Sequence, residues 1–156
     1  MRCRRAIGVA AGVMAAVGIL AYSCVYSRGM VEGRARDASG ISHTFIKKYT
    51  PPSAEDIWYS FSRHAVTLEM SFRISEADFL SWAAEHGWLV SPTTDKEPFE
   101  MGWHEDRVVE TVWITNGFSY RCFPPKRNGI LNWAVIVAYD RQRGKAYLSI
   151  APVDGT

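Results

Sequence analysis

Val66-Thr67-Leu68-Glu69-Met70-Ser71-Phe72-Arg73-Ile74-Ser75-Glu76-Ala77-Asp78-Phe79 carries two periodicities back to back. From Val66 to Ile74 apolar and polar residues alternate, the period of a strand with one buried face. Ser75 and Asp78 then stand at capping-box spacing, where the serine oxygen and the acid three residues on satisfy free amides at a helix start. The spacing predicts a helix over about 76–86, with Phe79, Trp82, Ala83 and His86 on one face. Gly87 offers the left-handed stop, after which Trp88 can fold back.

Working toward the C-terminus, a proline-bearing loop around Pro92 to Pro98 precedes two apolar stretches, Val108–Thr115 and Phe118–Phe123, that flank Asn116-Gly117. Asn-Gly between alternating hydrophobics is the strongest short hairpin signal, and it sets Trp113 opposite Tyr120 with Cys122 on the side of Thr111. Beyond the loop Pro124-Pro125-Lys126-Arg127-Asn128-Gly129, the run Trp133–Tyr139 is apolar on both faces and reads as a central strand. Ala146–Ile150 is its hairpin partner across Asp140–Lys145.

Working toward the N-terminus, Ile57, Tyr59 and Phe61 alternate with Trp58, Ser60 and Ser62 as a first strand after Pro51-Pro52-Ser53. Residues 27–50, with Gly29, Gly33, Gly40 and scattered charges, read as a tether. Ahead of them lies the apolar run Ala6–Tyr26, preceded by Arg2, Arg4 and Arg5. At about 1.5 Å per residue this run reaches roughly 30 Å, the thickness of a bilayer's hydrocarbon core, and it predicts a transmembrane helix in contact with membrane lipid. The density of arginine before it places the N-terminus in the cytoplasm and the C-terminal domain outside. Ala21-Tyr22-Ser23 leaves open a cut before Cys24, giving an exported or lipid-anchored product. Gly8 and Gly12 have the small-xxx-small spacing through which two such helices can approach.

The predicted organisation is therefore a tail and anchor (1–26), a tether (27–50) and one small α+β domain (51–156), an antiparallel sheet of about five or six strands packed on one helix. The net charge of +2 divides unevenly: residues 1–50 hold 8 Lys+Arg and 2 Asp+Glu, for +6, and residues 51–156 hold 10 and 14, for −4. An acidic domain lacks the basic face that displaces counterions from phosphates, which argues against a nucleic-acid partner. Cys3, Cys24 and Cys122 leave only one thiol in the domain, so no disulfide is formed within it.

Few residues invite chemistry. His104-Glu105-Asp106 offers a metal ligand beside two carboxylates, but neighbouring residues of an extended segment point to opposite sides and no His-x-x-x-His, Cys-x-x-Cys or Glu-x-x-His accompanies them. Cys122 could act as a nucleophile beside an imidazole, yet a mid-strand cysteine is ordinarily a small buried hydrophobe. Neither a Walker spacing nor Gly-x-Ser-x-Gly occurs, and no cofactor or metal is expected. Lys126 and Arg127, with Arg141 and Arg143 on the next turn, form a cationic patch for an anionic partner or for lipid headgroups.

Pro52-Ser53-Ala54, Asp56-Ile57, Phe72-Arg73-Ile74-Ser75-Glu76-Ala77-Asp78-Phe79, Trp82 and Ala138-Tyr139-Asp140 resemble a loose group of bacterial membrane-anchored or exported proteins of unknown function. The resemblance covers roughly residues 51–150, and its motifs are structural: a turn, a capped helix and a hairpin. The sequence leads to a non-enzymatic module of the cell envelope whose domain binds another protein or stabilises an assembly. The rival expectation is a small-ligand-binding or hydrolytic domain using His104, Glu105 and Cys122. A pocket of several hundred Å3 lined by convergent polar groups would favour that rival.

Overall fold

The computed structural model describes residues 29–93, 95–104, 107–124 and 132–153. The strands in chain order are β1 (Met30–Asp37), β2 (Glu55–Ser62), β3 (Thr67–Arg73), β4 (Ser91–Thr93), β5 (Glu97–His104), β6 (Arg107–Ile114), β7 (Gly117–Cys122), β8 (Asn132–Asp140) and β9 (Lys145–Val153). A 3-10 turn (Ala38–Gly40) and a short helix α1 (Thr44–Lys48) follow β1, and a longer helix α2 (Glu76–Glu85) follows β3. The chain divides into two compact units, Met1–Met30 and Val31–Thr156, and the second holds both hydrophobic cores.

In β3 the residues expected inside, Leu68, Met70 and Phe72, are buried, but so are Glu69 and Ser71 between them. A strand covered on both faces belongs in the interior of a sheet. β3 is indeed third in a seven-stranded sheet of order β1-β2-β3-β9-β8-β7-β4, while β5 and β6 form a separate two-stranded ribbon. Cross-strand register separates the two faces. Tyr59, Met70, Leu148, Val137 and Tyr120 lie in one row across β2, β3, β9, β8 and β7, and Ser60, Glu69, Ser149, Ile136 and Arg121 lie in the next.

The first face is covered by the helices. Phe79, Trp82 and Ala83 of α2 and Ile46 of α1 pack on Leu68, Met70, Phe72, Val137, Tyr139, Leu148 and Ile150 in the main core. Phe72 meets Trp82 edge-on at 5.4 Å, and Phe79 stacks on Tyr139 at 4.9 Å, the geometries that ring quadrupoles favour. The second face is covered by the ribbon. Phe99, Met101, Val112 and Ile114, alternate residues of β5 and β6, pack on Ala138 and Tyr147 with Trp58 and Ile136 at the margin.

These findings correct the expected class. The fold is mostly antiparallel sheet, seven strands plus a two-stranded ribbon, with few helices among the described residues, in place of an α+β domain of five or six strands on one helix. The strand count was low because three strands escaped the pattern: β1 lies within the segment expected as a tether, β4 is only three residues long, and β5 begins in the expected proline-bearing loop and continues where no strand was expected. No helix among the described residues is long and apolar enough to cross a membrane, and the run Ala6–Tyr26, with Gly8, Gly12 and Cys24, lies outside them.

The Asn116-Gly117 hairpin is also corrected. β6 pairs with β5, so Trp113 faces Pro98, while β7 pairs with β8 and β4, so Cys122 faces Val135. Asn116-Gly117 instead carries the chain from the ribbon down into the sheet. Glycine is required there by proximity: a Cβ on Gly117 would stand 1.7 Å from the carbonyl oxygen of Tyr139. Gly117→Ala must therefore push β7 away from β8, and urea unfolding is expected to show a loss of about 3 kcal/mol, the upper range for overpacking. An alanine variant of wild-type stability would refute the close approach.

Candidate functional site

The residues most able to meet another molecule gather where α2 ends. Its start is held by Ser75, whose Oγ accepts from the Asp78 amide at 3.1 Å and donates to the Asp78 carboxylate at 2.8 Å. Its end is a Schellman closure: the Gly87 amide donates to the Ala84 carbonyl and the Trp88 amide to the Ala83 carbonyl, both at 2.9 Å, with Gly87 at φ 71°. This closure folds Trp88 back onto the helix, against the edge of Trp82 at 5.0 Å.

An aromatic stack results. His86 lies between Tyr49 at 5.7 Å and Trp88 at 4.5 Å, and Trp88 in turn stacks on Tyr120 of β7 at 6.5 Å. His86 Nδ1 is 2.9 Å from the Trp82 carbonyl oxygen. A carbonyl can only accept, so Nδ1 carries the proton and Nε2 is the acceptor in the neutral ring. Tyr120 shares a hydrogen bond with Cys122, and that bond, with burial second, holds its phenol above the usual tyrosine range.

Two exposed hydrophobics flank the stack along the chain: Leu89, 86% exposed, follows Trp88, and Phe123, 62% exposed, follows Cys122. The sheet edge beside them is only half covered. β4 pairs with Gly117, Phe118 and Ser119, leaving Tyr120, Arg121 and Cys122 of β7 without a strand on that side among the described residues. The cause is local. The Val90 amide donates to the Trp88 carbonyl at 3.0 Å, a tight turn that keeps the chain from entering β4 earlier.

The seam between ribbon and sheet is closed. Arg121 donates to the Pro98 carbonyl at 2.7 Å and lies 3.9 Å from the Glu97 carboxylate, tying β7 to the start of β5. The crevice there, lined by Phe99, Ile114, Ile136 and Ala138 among others, holds about 170 Å3 of space between atoms and has no room for a water-sized body.

The residues singled out from sequence do not converge. Cys122 lies in β7 on the helix side of the sheet, half-buried, beside Tyr120. His104 ends β5 opposite Arg107, at the far end of the ribbon, and Glu105 lies outside the described residues, as do Lys126 and Arg127. Arg143 pairs with Asp140 at 3.4 Å. Arg141 makes two bonds of 2.7 Å to the Glu76 carboxylate and one of 2.7 Å to the Asn116 side chain, and its guanidinium lies 5.2 Å from the centre of the Phe118 ring. It joins the start of α2 to the β6–β7 crossing and the β8–β9 turn. No cluster of three or more His, Cys, Asp or Glu among the described residues could hold a metal ion.

Sequence reasoning missed Tyr49, Leu89 and Phe123. Tyr49 was hidden in the expected tether, and nothing about Leu89 and Phe123 in one dimension separates them from core residues. Comparison with known proteins adds no family: no family model matches the chain, and no curated protein and no solved structure matches it.

The Arg141 clamp is sensitive to acid. The hydrogen bonds from Arg141 hold the Glu76 carboxyl below the usual glutamate range. A carboxyl lowered on folding stabilises the protein above its unfolded value and ceases to do so as pH falls through its folded value. Glu76→Gln is therefore expected to lower the urea midpoint at neutral pH, and the gap to wild type should close as the medium is acidified below the ordinary glutamate range. A gap that stayed constant with pH would show that the charge on Glu76 is not what holds the clamp.

Proposed function

We propose that the Val31–Thr156 unit is a protein-interaction module of the cell envelope, binding through the end of the sheet where Tyr120, Arg121 and Cys122 of β7 border Leu89 and Phe123. The observation that carries this reading is the pairing of a strand edge that no described strand covers with large exposed side chains. Strand edges present a row of amides and carbonyls that pair readily with an added chain, and apolar side chains beside them supply contact area and selectivity. The stack of Tyr49, His86, Trp88 and Tyr120 behind the edge makes the surface rigid, so little side-chain freedom is lost when it is covered. The envelope address rests on sequence, the apolar run Ala6–Tyr26 beside Arg2, Arg4 and Arg5.

The test is purification of the intact chain from detergent-treated cells, with identification of the proteins that accompany it. Leu89→Asp and Phe123→Asp, both at exposed positions, are expected to deplete a bound partner about tenfold, the effect of removing a contact worth about 1.4 kcal/mol. His104→Ala, at the far end of the ribbon, should leave the partner in place. A chain that emerges alone, or a partner indifferent to Leu89 and Phe123, would overturn the reading.

A further inference from the structure

We infer that the opposite edge of the sheet, β1, pairs with β1 of a second copy of this chain, joining two seven-stranded sheets about a two-fold axis at Gly33. β1 is an edge strand of eight residues, longer than the mean strand, and only β2 lies beside it among the described residues. Its side chains sort cleanly by face. Glu32, Arg34 and Arg36 are exposed, while Val31 and Ala35 are half-buried against the main core. The charged face is the one shared with Ser60, whose hydroxyl lies 3.4 Å from the Glu32 carboxylate. Gly33 lies over Tyr59, with the phenol occupying the place a Cβ would take, which fixes the strand's register on β2.

Edge strands are commonly protected by like charges that repel a second chain. The charges on β1 are instead ordered so that one register satisfies them. When Gly33 faces Gly33 of the second copy, Glu32 faces its Arg34, Arg34 faces its Glu32, and Val31 and Ala35 face each other on the core side. Two opposite-charge pairs form across the join and no like pair does. Slipping two residues one way sets Arg34 against Arg34 between two Glu32–Arg36 pairs, and the other way sets Glu32 against Glu32, so each alternative carries a like pair that the Gly33 register lacks. A one-residue slip places charges opposite Val31 and Ala35, on the wrong face. Antiparallel pairing about Gly33 joins residues of equal parity, so whichever alternate amides of β1 point away from β2 find partners. The interface is isologous, as a two-fold requires.

This pairing uses an edge remote in the sheet order from β7 and stands whether or not the β7 edge takes a partner. The test is the association state of the full chain in mild detergent, followed by sedimentation across a concentration series. Wild type is expected to dimerise. Glu32→Arg and Arg34→Glu should each weaken association about tenfold or more, because each turns two attractive pairs into repulsive ones. The double variant Glu32→Arg/Arg34→Glu should restore it. Arg36→Glu, outside the charge pairs of this register, should leave it unchanged. All three substituted positions are exposed, and far-UV circular dichroism checks that each variant is folded. A wild-type monomer would overturn the inference. So would single variants that associate normally, which would mean a contact elsewhere in the chain, or a double variant that stays weak.

Discussion

The fold depends on covering the centre of one sheet from both sides. β3, β9 and the second half of β8 are buried on each face, so neither a helix layer nor a ribbon alone would exclude water from them. A sheet with a single covered face would show the clean alternation that Val66–Ile74 suggests. Here the polar half of that alternation, Glu69 and Ser71, is itself buried, and Ser149 lies beside Glu69 in the same row. The chain meets the requirement by lifting β5 and β6 out of the sheet and folding them over its second face. Phe99 reaching Tyr147 at 5.5 Å marks the contact.

That requirement explains what the sequence hid. The alternation in Ile57–Phe61, the capped helix at Ser75 and the two-sided strand at Trp133–Tyr139 were legible because each depends on neighbours within a turn or a strand length. The hairpin at Asn116-Gly117 was misread because its turn chemistry is equally good for a sharp crossing between layers. What decides is whether β6 has a better partner, and β5 is such a partner, paired with it from Glu97 opposite Ile114 to His104 opposite Arg107. Val66, expected inside the strand, sits at φ 50° in the turn before it, a conformation that alternation does not report. β1 was invisible for a different reason: Val31, Gly33 and Ala35 form a weak apolar stripe that becomes a face only once β2 is beside it.

The candidate site was less legible than the fold. Sequence reasoning sought titratable groups, and the structure turns several of them inward on the fold: Arg141 joins Glu76, Arg73 joins Asp56, Arg121 joins Pro98 and Glu97, and Arg143 pairs with Asp140. Arg141 shows why a basic turn cannot be read as a contact patch from composition. Its guanidinium is bound by a carboxylate far away in the sequence and by an amide at the ribbon crossing, and it lies against Phe118, so its charge holds the layers together. Arg143 is likewise paired within its own turn.

The two ends of the sheet present different problems of exposure. At β7 the uncovered length is short and the neighbouring surface is aromatic and aliphatic, so selectivity there depends on side chains that a partner must fill around. At β1 the uncovered length is long and the outward face is charged, so selectivity depends on register. A mismatch at the first would leave a gap in packing, whose cost grows with the space left empty. A two-residue mismatch at the second would set a like pair at its centre, Arg34 on Arg34 or Glu32 on Glu32. The edge with few polar signals can therefore accept related partners, whereas the edge with ordered charges discriminates sharply, and a strand whose charge order is its own complement is best matched by itself.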